Sequence, residues 1–251
     1  MSIPLEIHGR SISFATSIRP QDCQKVLDSA KTQRWLEGLR VGEEAGNWKV
    51  NHVHVCDAIF FGKFDSGKVG YVLVNAVGTN RDGTPMNGAA FLRGDSVAIL
   101  PVLRTPDGKE WTVTVEQPRI PVGIANYREI PAGMVDEGEV RSKALDELRE
   151  EVGGDFEVTL KDLTEIDRSH TSPGGSDEML VTYFFERNVS YEFIDALRGR
   201  MGGLREEGES LRIGVVPLED LVRECPYDTK AKLAIAGLDR YRAEHRPLPT
   251  P

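Results

Sequence analysis

One short stretch of the chain combines a glycine loop with a helix that carries four carboxylates. The loop begins at Gly133, and the carboxylates are Asp146, Glu147, Glu150 and Glu151. The last three are spaced i, i+3 and i+4, so their side chains leave one face of a helix. Like charges on one helix face repel each other, and a divalent cation turns that repulsion into attraction. Because Mg²⁺ prefers oxygen ligands and usually also binds substrate phosphates, the stretch predicts a metal-dependent phosphate site.

The charge and the apolar content restrict what else the protein can bind. The formal net charge is −9 over 251 residues, which makes the chain a poor general partner for nucleic acid or an anionic membrane surface. We find no run of eighteen apolar residues and no secretory signal, so no membrane span is expected. Three cysteines without zinc spacing predict neither a zinc site nor a disulfide framework. We therefore predict a cytoplasmic protein.

The order of predicted elements indicates an α/β (α+β) protein with two parts. Residues 1–88 form a small N-terminal α/β unit, and residues 89–251 form a larger domain with a mixed sheet flanked by helices. Turn signals at Asn80–Gly83 and Asn87–Gly88 mark the boundary. Hydrophobic periodicity predicts the following elements: a hairpin over 5–14; helices over 20–39, 141–152, 191–201, 218–223 and 230–243; strands over 48–61, 69–77, 91–103, 111–115, 156–160, 179–186 and 211–216.

The carboxylate stretch resembles the Nudix box, the signature of a hydrolase family. In that pattern Gly, five residues, Glu and seven residues precede Arg-Glu, an aliphatic residue, one residue, Glu-Glu, one residue and Gly. The matching residues are Gly133, Glu139, Glu147, Leu148, Glu150, Glu151 and Gly153. Here six residues rather than seven follow Glu139, and Asp146 occupies the position of the family arginine. Arg149 is a candidate substitute for that arginine, because i and i+3 are neighbours on a helix.

The resemblance implies the fold, the cofactor and the metal ligands. A Nudix-type α/β/α sandwich would be built around the mixed sheet. Mg²⁺, with Mn²⁺ as an alternative, would be bound by Glu147, Glu150, Glu151 and the backbone carbonyl of Ala132. Glu150 is also a candidate catalytic residue.

A second loop, Ser172-Pro-Gly-Gly-Ser-Asp177-Glu178, contains a tight turn followed by two acids. Taken alone, it is typical of a surface turn. It also resembles the substrate loop of the ADP-ribose and nucleotide-sugar pyrophosphatases, a Nudix subgroup in which this loop supplies a glutamate. That resemblance implies Glu178 as the catalytic base or a metal ligand, with Asp177 as the second choice.

Four further residues are candidates for substrate binding. Arg119, in Glu116-Gln-Pro-Arg119, and Arg93 resemble positions of the same subgroup, and a planar guanidinium suits a diphosphate. Their alternative roles are an ordinary strand-end salt bridge for Arg119 and a solvated side chain for Arg93. Trp35 could stack on a nucleobase, although its helical spacing with Leu36 favours a core role. Gly133 is the fourth candidate.

The wider resemblance, to plant ADP-sugar diphosphatases and animal UDP-glucose pyrophosphatases, covers most of the chain. Its segments occur in the family order: 33–36, 91–94, 116–119, 131–136, 172–175 and 203–209. It implies a homodimer that hydrolyses nucleoside diphosphate sugars such as ADP-ribose, ADP-glucose or UDP-glucose. Two alternatives remain. One is a catalytically weakened module of the same fold that binds a nucleotide sugar or a protein partner without turnover. The other is a structural α/β protein with a solvated acidic helix.

Overall fold

The structure is a computed structural model that describes residues 5–7, 9–62, 67–135, 140–153, 156, 158–203 and 210–245. The chain divides into two compact units. Unit 1 comprises Met1–Asp95 and His170–Met179, and unit 2 comprises Ser96–Ser169 and Leu180–Pro251.

Unit 1 is built on a five-stranded sheet with two helices. The strands lie in sequence order, β1 to β5, and the first pair is the predicted hairpin. Gly9 makes its turn possible, because its backbone adopts a positive φ of 76°. The elements are β1 (Leu5–Ile7), β2 (Arg10–Phe14), α1 (Pro20–Asp28), α2 (Ala30–Glu44), β3 (Trp48–Phe61), β4 (Lys68–Asn80) and β5 (Pro85–Leu92).

The core of unit 1 lies between its sheet and its helices. Val26, Leu27 and Leu36 from the helices meet Val53 and Val72 from the strands, and all five side chains are buried. The alternation of buried and exposed residues along β3 and β4 produces one apolar face on the sheet. The predicted helix over 20–39 is two helices, because Ser29 is extended and interrupts it.

Unit 2 contains a mixed sheet of eight strands. Its order is β10-β11-β6-β7-β13-β12, with β8 paired to β7 and β9 paired to β6. Strand β11 runs parallel to β6, whereas β13 is antiparallel to β7. The elements are β6 (Asp95–Arg104), β7 (Glu110–Arg119), a 3-10 turn (Ile120–Val122), β8 (Ile124–Glu129), β9 (Ala132–Val135), α3 (Val140–Glu151), β10 (Thr164–His170), β11 (Met179–Asn188), α4 (Tyr191–Leu197), β12 (Met201–Gly202), β13 (Leu211–Pro217), a 3-10 turn (Leu218–Asp220), α5 (Leu221–Glu224) and α6 (Thr229–Glu244).

The mixed sheet and flanking helices confirm the predicted α/β class. One core cluster of unit 2 packs Ala231, Ala234 and Leu238 of α6 against Leu100 of β6 and Phe184 of β11. No helix in the described ranges is both long and apolar enough to cross a membrane.

The structure corrects several predicted boundaries. The predicted strand over 91–103 is two strands, β5 and β6, which are separated at Gly94 by a positive φ of 88°. Asn87–Gly88 lies inside β5 and makes no turn, so the first unit extends beyond residue 88 to Asp95. The described residues between 156 and 160 form no strand. Strands β8, β9, β10 and β12 were not predicted, and the helix predicted over 191–201 ends at Leu197.

Candidate active site

Helix α3 presents the predicted carboxylates while its opposite side is buried. Ala144, Leu145 and Leu148 are buried at helical spacing, which fixes the rotation of the helix. Glu147 then lies directly against Gly133 of β9. A Cβ at position 133 would overlap the carboxylate group of Glu147. The packing of Glu147 therefore requires a glycine at position 133. The sequence analysis proposed only a contact of Gly133 with substrate.

Glu151, the last residue of α3, is a nearly isolated buried carboxylate. The residue is only 4% exposed, and its Oε2 accepts a hydrogen bond of 3.1 Å from the backbone N–H of Ala132. Burial raises the pKa of Glu151 well above its ordinary value, and the negative charges of Glu147 and Glu129 raise it further. The site therefore carries more negative charge than the neighbouring groups of the protein compensate.

Glu129 at the end of β8 is a second buried glutamate, which the sequence did not reveal. Its carboxylate binds Arg119 Nε at 2.6 Å and Lys230 Nζ at 2.7 Å. Lys230 also binds Asp228 at 2.9 Å, and Asp228 accepts a hydrogen bond from the backbone N–H of Ile130. Burial alone would raise the pKa of Glu129, but the charges of Lys230 and Arg119 lower it. This network fixes the end of β8 beside the segment that leads to Ala132.

Lys143 supplies the cation that the sequence analysis assigned to Arg149. Its Nζ lies 2.8 Å from Glu147 and 3.7 Å from Glu150, one turn along α3. Arg149 is instead 3.7 Å from Asp146, on the exposed side of the helix. The suggested substitution of the family arginine by Arg149 is therefore wrong. The reason is helical geometry, because 143, 147 and 150 share a face that 149 does not.

The carboxylate face of α3 is chemically suited to a hard cation. It offers oxygen ligands from Glu147, Glu150 and Glu151, and the charge of Arg119 does not offset the burial and negative neighbours of Glu151. In the described part of the chain, no three acidic, histidine or cysteine side chains already form a set of metal ligands.

The acids of the 170–179 segment belong to unit 1 and are held in different ways. Asp177 accepts hydrogen bonds from the backbone N–H groups of Arg93 and Gly94, at 2.8 and 3.2 Å. Glu178 accepts a hydrogen bond of 2.7 Å from the Thr171 hydroxyl and lies 3.2 Å from Arg93 Nη1. Asp177 thus anchors the segment to the turn between β5 and β6. The carboxylate of Glu178, in contrast, contacts the side chains of Thr171 and Arg93.

The remaining candidates occupy defined positions within their own units. Arg119 forms the ion pair with Glu129. A strand-end salt bridge, the alternative role considered for Arg119, therefore describes one of its contacts. Trp35 packs against the core of unit 1, in agreement with its helical spacing. Glu139 of the Nudix box and most of the 203–209 segment lie outside the described residues.

Known proteins resemble this chain in sequence and in fold. It is 29% identical over 239 residues to Nudix hydrolase 14, chloroplastic, of Arabidopsis thaliana, a match that covers 89% of this chain and 74% of that protein. It is 34% identical over 148 residues to the ADP-ribose pyrophosphatase of Bacillus subtilis (strain 168), over 57% of this chain and 71% of that protein. A crystal structure of an ADP compounds hydrolase superposes with a TM-score of 0.52 and 13% identity, over 80% of this chain and 97% of that one. That last likeness concerns the fold alone, and no family model matches the chain.

Together the mixed sheet, the carboxylate helix and these relatives define a hydrolase. The chain belongs to the Nudix hydrolase family. One relative is named as chloroplastic, so the cytoplasmic location expected for this chain stays a prediction.

Proposed function

We propose that the protein hydrolyses the diphosphate bond of nucleoside diphosphate sugars in a Mg²⁺-dependent reaction. The products are a nucleoside monophosphate and a sugar phosphate. The observation that carries this proposal is the buried Glu151, where burial and the negative charges of Glu147 and Glu129 outweigh the opposing effect of Arg119 and raise the pKa. ADP-ribose and ADP-glucose are the first candidate substrates, supported by the two relatives and the subgroup motifs. UDP-glucose is the next candidate.

The metal would be held by Glu147, Glu150 and Glu151, with the carbonyl of Ala132 as a further ligand. When bound, Mg²⁺, or Mn²⁺ in its place, neutralises the diphosphate and stabilises charge on the leaving phosphate. A bound dication would favour the charged form of Glu151, against the burial that raises its pKa. Gly133 keeps the Glu147 carboxylate close to the backbone of β9.

The residues of the 170–179 segment are proposed to provide the base. Glu178 is the first choice, because the backbone hydrogen bonds of Asp177 commit that carboxylate to the β5–β6 turn. Glu178 would take a proton from the attacking water, oriented by Thr171 and Arg93. Arg119 and Arg93 are proposed to contact phosphate oxygens, and Trp35 to contribute stacking at the base.

A homodimer is part of the proposal. Support comes from the sheet of unit 1, whose strands β3, β4 and β5 expose large apolar side chains. These are Ile59 (52% exposed), Phe61 (40%), Leu73 (42%), Val77 (43%) and Phe91 (37%). Such side chains on one sheet favour association with a second apolar surface. Sedimentation equilibrium tests it, and a monomer at all concentrations would overturn it.

The function is tested by a hydrolysis screen with ADP-ribose, ADP-glucose, UDP-glucose and a dinucleotide in the presence of Mg²⁺, with the products identified. Glu147→Gln is expected to lose most turnover while keeping the fold, because it removes a metal ligand of nearly the same shape. Asp146→Asn is the matched control, since its side chain is 54% exposed and pairs with Arg149 instead. No monophosphate from any substrate would overturn the proposal, and equal turnover of the two variants would overturn the metal assignment.

The second candidate is a module that binds a nucleotide sugar without turnover. Asp146 at the family arginine position and the ion pair of Lys143 with Glu147 favour it. A thermal shift by ADP-ribose without product would support this function. The buried Glu151 opposes it, because a protein without metal chemistry has no use for an uncompensated buried carboxylate.

A further inference from the structure

Unit 2 contains a cavity that the proposed reaction does not use. It has a volume of about 200 Å³ and lies between β7, β8, β13 and the end of α4. Three arginines line it, one from each of three different elements, together with one acid, a threonine and a glycine. These residues are Arg128, Arg198, Arg212, Glu116, Thr114 and Gly214.

The register of the sheet places this cavity on the face opposite to Glu129. Glu116 pairs with both Arg128 and Arg212, and directly paired residues point to the same side of a sheet. Val115, one residue along β7, pairs with Glu129. Because side chains alternate along a strand, Glu116 and Glu129 leave opposite faces. The cavity is therefore separate from the buried acids of the candidate active site.

The three arginines differ in how fully they are neutralised. Arg128 binds Glu224 at 2.7 Å and Glu116 at 3.4 Å. Among the described residues, Arg198 forms an exposed ion pair of 3.4 Å with Asp195 and lies over the ring of Trp111.

Arg212 is exposed and has no ion pair with any residue that the structure describes. It therefore retains its full set of donors, although the whole chain has a net charge of −9. An arginine without a partner, beside two others in an acidic protein, creates a local site for an anion.

Thr114 and Gly214 close the floor of the cavity. Thr114 is 1% exposed, and its hydroxyl faces Gly214 on β13, where a Cβ would come within 2.5 Å of it. The hydroxyl therefore fills the space that a side chain at position 214 would occupy. Because this hydroxyl is buried, a ligand in the cavity would meet the arginine side chains instead.

We propose that this cavity binds the phosphate group of a small phosphorylated metabolite. Arg212 and Arg198 supply charged donors to the phosphate oxygens. A cavity of about 200 Å³ suits inorganic phosphate or a phosphorylated sugar and is smaller than the pockets that hold larger ligands. A nucleotide sugar is therefore not its ligand.

Calorimetric titration of the metal-free protein in EDTA tests the proposal. The probes are inorganic phosphate, ribose 5-phosphate and unphosphorylated ribose. Removing metal keeps phosphate away from the carboxylate helix, so the result does not depend on the proposed hydrolysis. We expect both phosphates to bind and ribose not to bind. Tenfold tighter binding of ribose 5-phosphate would identify a phosphorylated sugar as the ligand, and equal binding would identify free phosphate.

Variants locate the binding within the cavity. Arg212→Gln should weaken phosphate binding at least tenfold without loss of thermal stability, because Arg212 is exposed and unpaired among the described residues. Arg168→Gln, which removes the same charge from an exposed pair with Glu165, is the matched control and should bind as the wild type does. Undetectable phosphate binding by the wild type, or unchanged binding by Arg212→Gln, would overturn the proposal.

Discussion

Two buried glutamates in unit 2, Glu129 and Glu151, experience opposite electrostatic environments. They are 2% and 4% exposed, so burial alone penalises the charged form of both. Glu129 binds two cations, and its pKa lies below the ordinary value. Among the described residues, Glu151 accepts a hydrogen bond from the backbone N–H of Ala132. Its burial and the negative charges of Glu147 and Glu129 outweigh the charge of Arg119, so its pKa lies well above the ordinary value. The partners of a buried acid, rather than its depth, decide its charge.

The difference in charged neighbours indicates different roles for the two acids. Glu129 has a structural role, and Glu151 is suited to bind a cation. The network around Glu129 contains Arg119, Lys230 and Asp228, so two positive and two negative groups balance. A balanced network of this kind fixes the backbone and has no requirement for a metal. Glu151 lacks that balance, and a divalent cation would supply it. Two substitutions test this comparison directly, one at each glutamate. A third tests the charge beside Glu147, which is next to Glu151 on the carboxylate face.

The largest effect is expected from Glu129→Gln. It leaves Lys230 and Arg119 without their carboxylate, and breaking one side of a buried ion pair costs about 3–5 kcal/mol. Because the side chain of Arg119 is 39% exposed, we expect the lower end, about 3 kcal/mol. Urea unfolding measures this loss. Glu165→Gln, which breaks the exposed pair with Arg168, is the control and should cost less than about 1 kcal/mol. Equal losses in the two variants would contradict a structural role for Glu129.

Glu151→Gln is expected to have the next largest effect on stability. In metal-free protein it should stabilise the fold, whereas Glu129→Gln destabilises it. The raised pKa means that folded wild-type protein retains a proton that the unfolded chain has released. Wild-type stability therefore falls as the pH rises from the ordinary value of 4.5 through the folded pKa. Glutamine avoids this loss and can still accept the hydrogen bond from Ala132.

Unfolding in EDTA at about pH 4 and about pH 8 measures that difference. The variant should be more stable than the wild type at the higher pH, and the gap should close at the lower pH. The same variant should bind Mn²⁺ at least tenfold more weakly, because it loses a charged ligand. A variant that is less stable than the wild type at the higher pH would refute the charge imbalance at Glu151.

The smallest effect is expected from Lys143→Met. Removing the ammonium group beside Glu147 takes a positive charge from the metal's surroundings, so metal should bind more tightly. Lys143 is 29% exposed and screened by solvent, so we expect the free energy of metal binding to improve by about 1 kcal/mol, or roughly fivefold in affinity. Mn²⁺ titration measures it, with the exposed Lys232→Met as the control. Weaker binding would show that Lys143 holds Glu147 in place for the metal.

Local patterns in the sequence determined much of the fold. The hairpin around Gly9, the turn at Asn80–Gly83 and helix α3 all follow from signals within a few residues of each other. Strands β8 and β9 did not, because short strands are specified by their pairing with β7 and β6 rather than by their own composition. The break at Ser29 likewise interrupts a helical pattern without glycine or proline at that position.

For the site, the sequence by itself determined that Glu147, Glu150 and Glu151 share a helix face, because the period of an α-helix fixes that relation. Only the tertiary structure decided how each of them is balanced. Lys143 rather than Arg149 neutralises Glu147, and Glu129 comes from a strand remote in the chain. Charges interact through space over a few ångströms, so the state of a carboxylate depends on neighbours that sequence spacing does not reveal.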